Sequence, residues 1–174
     1  MNRWEPVLTD LVHHRGGALV RYATLLCGDR REAEDLVQDA LVRVFTTTRR
    51  PLGSGPGDFA ALEHLEAYVR RTVLNLYLDS YRRRRRWTAV RHLLGAASST
   101  VGPDHASPGH LDLDSALAAL PPRQRACVVL RFYADLTVPQ IAEDLGVSTG
   151  AVKRHLHDAN VKLAVSLAPV GEEE

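Results

Sequence analysis

The chain has 174 residues, room for one ordinary domain or two small ones, and it is rich in aliphatic residues but poor in aromatics, the balance expected of packed helices. No stretch approaches 18 uncharged apolar residues, which excludes a hydropathic membrane span, and the charged opening MNRWEPVLTD, broken by Pro6, is unlike a secretory signal. A cytoplasmic protein is expected.

The formal net charge of +1 conceals a division along the chain. Residues 1–95 carry 16 arginines against 11 carboxylates, residues 96–110 are net −1, residues 111–170 balance six against six, and Glu172-Glu173-Glu174 add −3. Cationic potential is therefore concentrated in the first half. Of the 22 basic residues, 20 are Arg, which suggests a GC-rich genome as readily as phosphate chemistry. Cys27 and Cys127 form no CxxC or zinc-knuckle spacing and read as small buried hydrophobes.

Helical periodicity runs through most of the chain, and no segment alternates with period two between turn residues. Pro6–His14 and Ala18–Leu26 read as two helices parted by Gly16-Gly17. Gly28 ends the second, and Asp29-Arg30-Arg31-Glu32 fits a capping box opening a third, which runs to about Phe45 or Thr48. PLGSGPG (51–57) is a loop, and a long helix follows from about Phe59 or Leu65 to Trp87. Residues 96–110, AASSTVGPDHASPGH, read as a flexible linker. Helices are then expected over Leu111–Leu120, Pro122–Ala134, Val138–Leu145 and Ser148–Leu167. The fold class is all-α: a four-helix N-terminal module (1–95), the linker (96–110), a four-helix C-terminal module (111–170) and an acidic tail (171–174).

The sharpest local signal is a helix-turn-helix over Leu136–Leu163. Thr137 and Gln140 form a capping box, and Pro139 is tolerated in a first turn with no donor to lose. Ile141, Ala142 and Leu145 face inward, Gly146 permits the turn, Val147 plugs it, and Ser148 caps a second helix with Val152 and Leu156 inward. That helix presents Thr149, Gly150, Lys153, Arg154 and His157 outward, where a major groove would meet them.

Two further patterns lie upstream. In EDLVQDALVRVF (34–45), Leu36, Val37, Ala40, Leu41, Val44 and Phe45 form an apolar stripe, while Asp35, Gln38, Asp39 and Val42 share an exposed face. An acidic face suits a basic protein partner better than DNA. In EAYVRRTVLNLYLDSYRRRRRW (66–87), Arg71, Asn75, Asp79, Arg82 and Arg86 line one cationic edge, and Arg83 adds to the arginine run at the helix end. Tyr68, Tyr77, Tyr81 and Trp87 offer stacking platforms for unpaired bases.

In this order AEDLVQDALVRVF, AYVRRTVLNLYLDSYRRRRR and LPPRQRACVVLRFYADLTVPQIAEDLGVSTGAVKRHLHDANVKL resemble an extracytoplasmic-function sigma factor, over nearly the whole chain outside linker and tail. The resemblance implies that residues 1–95 act as sigma region 2 and residues 111–170 as sigma region 4. It implies docking of Asp35, Gln38, Asp39 and Val42 on the β′ clamp helices of core RNA polymerase, with a second contact at the β flap. It gives the loop around Thr46–Phe59 the trapping of a flipped minus-ten base. Strand separation and minus-ten contacts fall to Arg71, Asn75, Asp79, Arg82, Arg83 and Arg86. Minus-thirty-five contacts fall to Ser148, Thr149, Gly150, Lys153, Arg154 and His157. Promoter DNA and an anti-sigma factor are the implied further partners, with the chain a monomer within the holoenzyme. The sequence departs from many relatives in Tyr68, where they carry Trp, and in the acidic and amide residues of HLHDANVKL.

No enzyme is expected, and neither a cofactor nor a metal. His13-His14 are helical neighbours that diverge, His155 and His157 lie on nearly opposite faces, and no Gly-rich phosphate loop or GxSxG elbow occurs. The alternative is a helix-turn-helix repressor or response-regulator output protein gripping two half-sites as a dimer.

Overall fold

The structure, a computed structural model, describes residues 5–47, 59–93 and 111–167. Every element among them is helical, and they divide into two compact units, Met1–Thr100 and Val101–Glu174. The linker and the acidic tail lie outside the described residues.

The first unit holds α1 (Glu5–Cys27), α2 (Arg30–Thr47) and α3 (Phe59–Leu93), each packed on the other two. The expectation of two helices parted by Gly16-Gly17 is wrong: α1 runs unbroken through both glycines, so the described unit has three helices rather than four. Two helix-interior glycines cost about 1 kcal/mol each. Leu11 before them and Leu19, Tyr22, Ala23 and Leu26 after them are all fully buried, and that shared apolar face outweighs the local preference. The true break is at Gly28, whose φ of 81° stops α1 while its N–H donates to the Thr24 carbonyl at 2.8 Å.

The core of this unit is the α2 stripe of Leu36, Val37, Ala40, Val44 and Phe45 with Leu62, Leu65, Val69, Val73, Leu74, Tyr77 and Leu78 of α3. Leu41, expected in that stripe, is only half-buried. At one edge of the core the Glu66 carboxylate is buried between two arginines, Arg15 of α1 at 3.2 Å and Arg70 one turn along α3. The Arg70 guanidinium also lies over the Tyr22 ring, 5.8 Å from its centroid. A buried carboxylate with a single cation would be a poor bargain with solvent; two cations and a ring make the site tenable.

The second unit holds α4 (Leu111–Ala118), α5 (Pro122–Val128), α6 (Val138–Leu145) and α7 (Thr149–Ser166), with α7 packed by the other three. The Arg125 guanidinium, itself buried, donates to the Ala118 carbonyl and so ties the end of α4 to α5. The helix expected over Pro122–Ala134 changes character at Val129. Residues Val129–Tyr133 form a π turn, with the Ala134 N–H donating to the Val129 carbonyl at 3.1 Å. Asp135, at φ 53°, closes it.

Candidate functional site

The helix-turn-helix forms where its signals lie. Thr137 is the N-cap of α6, and the Gln140 side-chain oxygen accepts from the Thr137 N–H at 2.8 Å and from its hydroxyl at 2.7 Å. Gly146 adopts φ 62° and ψ 40°, which sharply disfavours a side chain. Ser148 caps α7 by accepting from the Ala151 N–H at 3.2 Å. Ile141 and Val152 are fully buried and Ala142 is buried, while Leu145, Val147 and Leu156 are half-buried. With that face of α7 held inward, Ser148, Thr149, Gly150, Lys153, Arg154 and His157 are all exposed. Lys162 belongs elsewhere: its Nζ donates to Gln124 Oε1 of α5 at 3.1 Å.

On α2, Asp35, Gln38, Asp39 and Val42 are exposed together, and Val42 is 56% accessible, an apolar side chain in the middle of an acidic surface. The helix start differs from the expected capping box. Asp29 does its part, its Oδ1 accepting the Glu32 N–H at 2.8 Å. The Glu32 carboxylate, however, meets Arg84 of α3, with 2.7 Å from Nη2 to Oε1. A cation offers the carboxylate a stronger, charge-assisted bond than a backbone amide does.

On α3, Arg71, Asn75, Asp79, Arg82, Arg83 and Arg86 are exposed, as is Tyr68. Two features modify the sequence reading. Arg82 donates to Asp79 Oδ1 at 3.0 Å, so the edge carries an internal ion pair. Of the proposed stacking aromatics, Tyr77 is buried and Tyr81 half-buried, whereas Tyr68 at 52% and Trp87 at 68% are open to solvent. Tyr77 belongs to the core because it lies on the face shared with Val69 and Val73. Most of the base-trapping loop expected around Thr46–Phe59 lies outside the described residues.

Sequence reasoning missed Glu32 and Arg84 as a pair. They are 52 residues apart, and one of five consecutive arginines carries no local mark of a partner on another helix. Neither cysteine forms a site. Cys27 Sγ donates to the Ala23 carbonyl at 2.8 Å, and burial pushes the Cys127 thiol up to about 11. Among the described residues no cluster of His, Cys, Asp or Glu could hold a metal ion, and no helix is long and apolar enough to cross a membrane.

Residues 11–87 match the family model Sigma-70 region 2, and residues 110–163 match Sigma-70, region 4. The ECF RNA polymerase sigma factor SigE of Mycolicibacterium smegmatis is 32% identical over 94% of this chain, which spans 62% of that relative's length. The RNA polymerase sigma-E factor of Streptomyces avermitilis is 34% identical, with 91% of this chain and 83% of that protein covered. Among solved structures, the sigma factor RpoE crystallised with the anti-sigma factor NepR from Bartonella quintana has a TM-score of 0.64. It is 24% identical, with 95% of this chain and 96% of that one covered, a likeness of fold.

A region 2 module followed by a region 4 module defines a transcription initiation factor of the sigma-70 class. The chain belongs to the extracytoplasmic-function group of RNA polymerase sigma factors.

Proposed function

We propose that this chain directs core RNA polymerase to its promoters through three surfaces, two of them on one module. The α2 face of Asp35, Gln38, Asp39 and Val42 docks on the β′ clamp helices. The α3 edge of Arg71, Asn75, Asp79, Arg82, Arg83 and Arg86 engages and opens the minus-ten element. In residues 111–170, the exposed α7 residues Ser148, Thr149, Gly150, Lys153, Arg154 and His157 read the minus-thirty-five element, and the same module meets the β flap. The observation that carries this division is electrostatic: α2 presents carboxylates with an apolar centre, while the α3 edge presents four arginines and an amide against one carboxylate, Asp79. One surface suits a basic protein and the other suits phosphate and exposed bases.

The chain acts by association in the cytoplasm, as a monomer within the holoenzyme and without catalysis of its own. Strand opening draws on stacking, backbone contacts and polymerase binding. The similar Bartonella protein was crystallised with an anti-sigma factor, and regulation of this chain by such a partner is part of the reading. The test is reconstitution with core enzyme. Asp35→Arg with Asp39→Arg should abolish core binding while circular dichroism shows an unchanged helical protein, because both positions are exposed. Normal core binding by that double variant refutes the docking face.

A further inference from the structure

Glu32 and Arg84 join the two helices to which the proposed function gives different tasks. Glu32 sits in the first turn of α2, three and seven residues before Asp35 and Asp39, at the rim of the acidic face. Arg84 is the middle of the five arginines near the end of α3. Its Nη2 donates both to Glu32 Oε1 at 2.7 Å and to Ser80 Oγ at 3.1 Å. Ser80 in turn donates to the carbonyl of Tyr77, whose ring is buried in the core. A short chain of polar contacts thus runs from α2 to the base of the arginine run. The neighbouring arginines are engaged differently: Arg82 is held by Asp79 within α3, while Arg83, Arg85 and Arg86 face solvent.

We propose that Arg84 is a positioning residue rather than a DNA contact, and that its pair with Glu32 holds the arginine-bearing end of α3, with Arg82, Arg83 and Arg86, against the polymerase-docking helix α2. The inference rests on the proposed roles of the α2 face and the α3 edge. Its physical basis is that α3 continues unbroken from its packed stretch, and from Asp79 to Thr88 no described side chain is buried, so the Glu32–Arg84 pair is a polar tie from that overhang back to α2. A contact close to the point where α3 leaves the core steadies what lies beyond it. Arg suits the task because the two fixed N–H bonds of Nη2 diverge in the guanidinium plane, one towards Glu32 and one towards Ser80. The pairing also raises the Arg84 pKa, chiefly through its hydrogen bond to Glu32, and the guanidinium stays charged throughout.

The two roles for Arg84 predict opposite results for a change at its partner. If Arg84 bound phosphate, Glu32→Gln would release it and strengthen DNA binding. As a positioning pair, Glu32→Gln should reproduce the defect of Arg84→Gln. The experiment is a cycle of Glu32→Gln, Arg84→Gln and the double variant, each assembled with core enzyme, with promoter opening followed by permanganate reactivity. Each single variant should slow opening about two- to fivefold, the range of an exposed ion pair, and the double variant should be no slower than either single one. Core affinity should be unchanged in all three. Arg84→Gln should leave the salt dependence of promoter binding unchanged, whereas Arg83→Gln should flatten its slope by about 0.7–0.9. Faster or unchanged opening in Glu32→Gln, additive losses in the double variant, or a flattened salt slope in Arg84→Gln would each overturn the proposal. Loss of core affinity in either single variant would overturn it too. The docking assignment fails separately, through normal core binding of the Asp35→Arg, Asp39→Arg protein.

Discussion

The Val147 N–H donates to the Ala142 carbonyl at 3.0 Å, a bond that reaches back across Gly146 and closes the end of α6. It can form only while Gly146 holds its left-handed conformation, which costs an L-residue with a side chain about 1–2 kcal/mol. Gly146→Ala should therefore destabilise the second unit by about that amount, although a Cβ there would meet no atom within 4 Å. Gly17 makes the opposite case. It lies inside α1 with open space around its missing Cβ, so Gly17→Ala should stabilise the first unit by about 0.4–1 kcal/mol. Denaturant unfolding with a probe in each unit checks both signs.

Asp79→Asn should strengthen promoter binding. The Asp79 carboxylate holds Arg82 at 3.0 Å, and releasing that arginine gives the edge another cation for phosphate. Binding measured from 50 to 200 mM salt should steepen by about 0.7–0.9 in log–log slope. Asn75→Ala should behave differently, leaving the closed complex intact and reducing permanganate-reactive thymines near the start site. Unchanged melting in that variant would move the strand-separating site elsewhere.

Lys153→Ala and Arg154→Ala should each weaken promoter binding by about 1–3 kcal/mol if their exposed side chains reach base edges. Core affinity should be spared, since both stand on the helix-turn-helix face. A holoenzyme footprint reads the result. Protection should be lost at the upstream element alone, and an undisturbed upstream footprint in the double variant removes the assignment.

Cys127 should resist alkylation at pH 8 in the folded protein and react on unfolding. Burial is the main cause of its raised pKa, about 11 against an ordinary 9.0, with Arg123 opposing it. Because the folded state holds the proton more tightly, the contribution to stability is full below pH 9 and fades as pH rises toward 11. Unfolding followed across that window in wild type and Cys127→Ala checks the direction. The half-buried Cys27 thiol is an internal reference.

Much of this fold was legible because its boundaries have strong local chemistry. Gly28 and Asp29 mark the change from α1 to α2, and Thr137, Gly146 and Ser148 mark the recognition hairpin, each acting within three or four residues of itself. What escaped was decided by distant partners. Gly16-Gly17 looks like a break until the buried leucines on both sides are weighed together. The π turn at Val129–Tyr133 adds a residue to a helix, a change that apolar periodicity barely registers over so few residues. The exposed faces were readable from spacing, but the duties of neighbouring arginines were not. Arg82, Arg83 and Arg84 are consecutive and alike, and only the positions of Asp79 and Glu32 distinguish them.

The length of α3 has a mechanical consequence. Its 35 residues span about 52 Å at 1.5 Å per residue, and only the stretch through Leu78 contributes side chains to the described core. From Asp79 to Thr88 the described side chains form an overhang of about 15 Å. A tilt of about 5° at its root would displace Thr88 by about 1.3 Å, nearly half a hydrogen bond's length. Small errors at the root are thus magnified where the arginines are carried, much as a slight turn of the wrist becomes a sweep at the tip of a fencing foil.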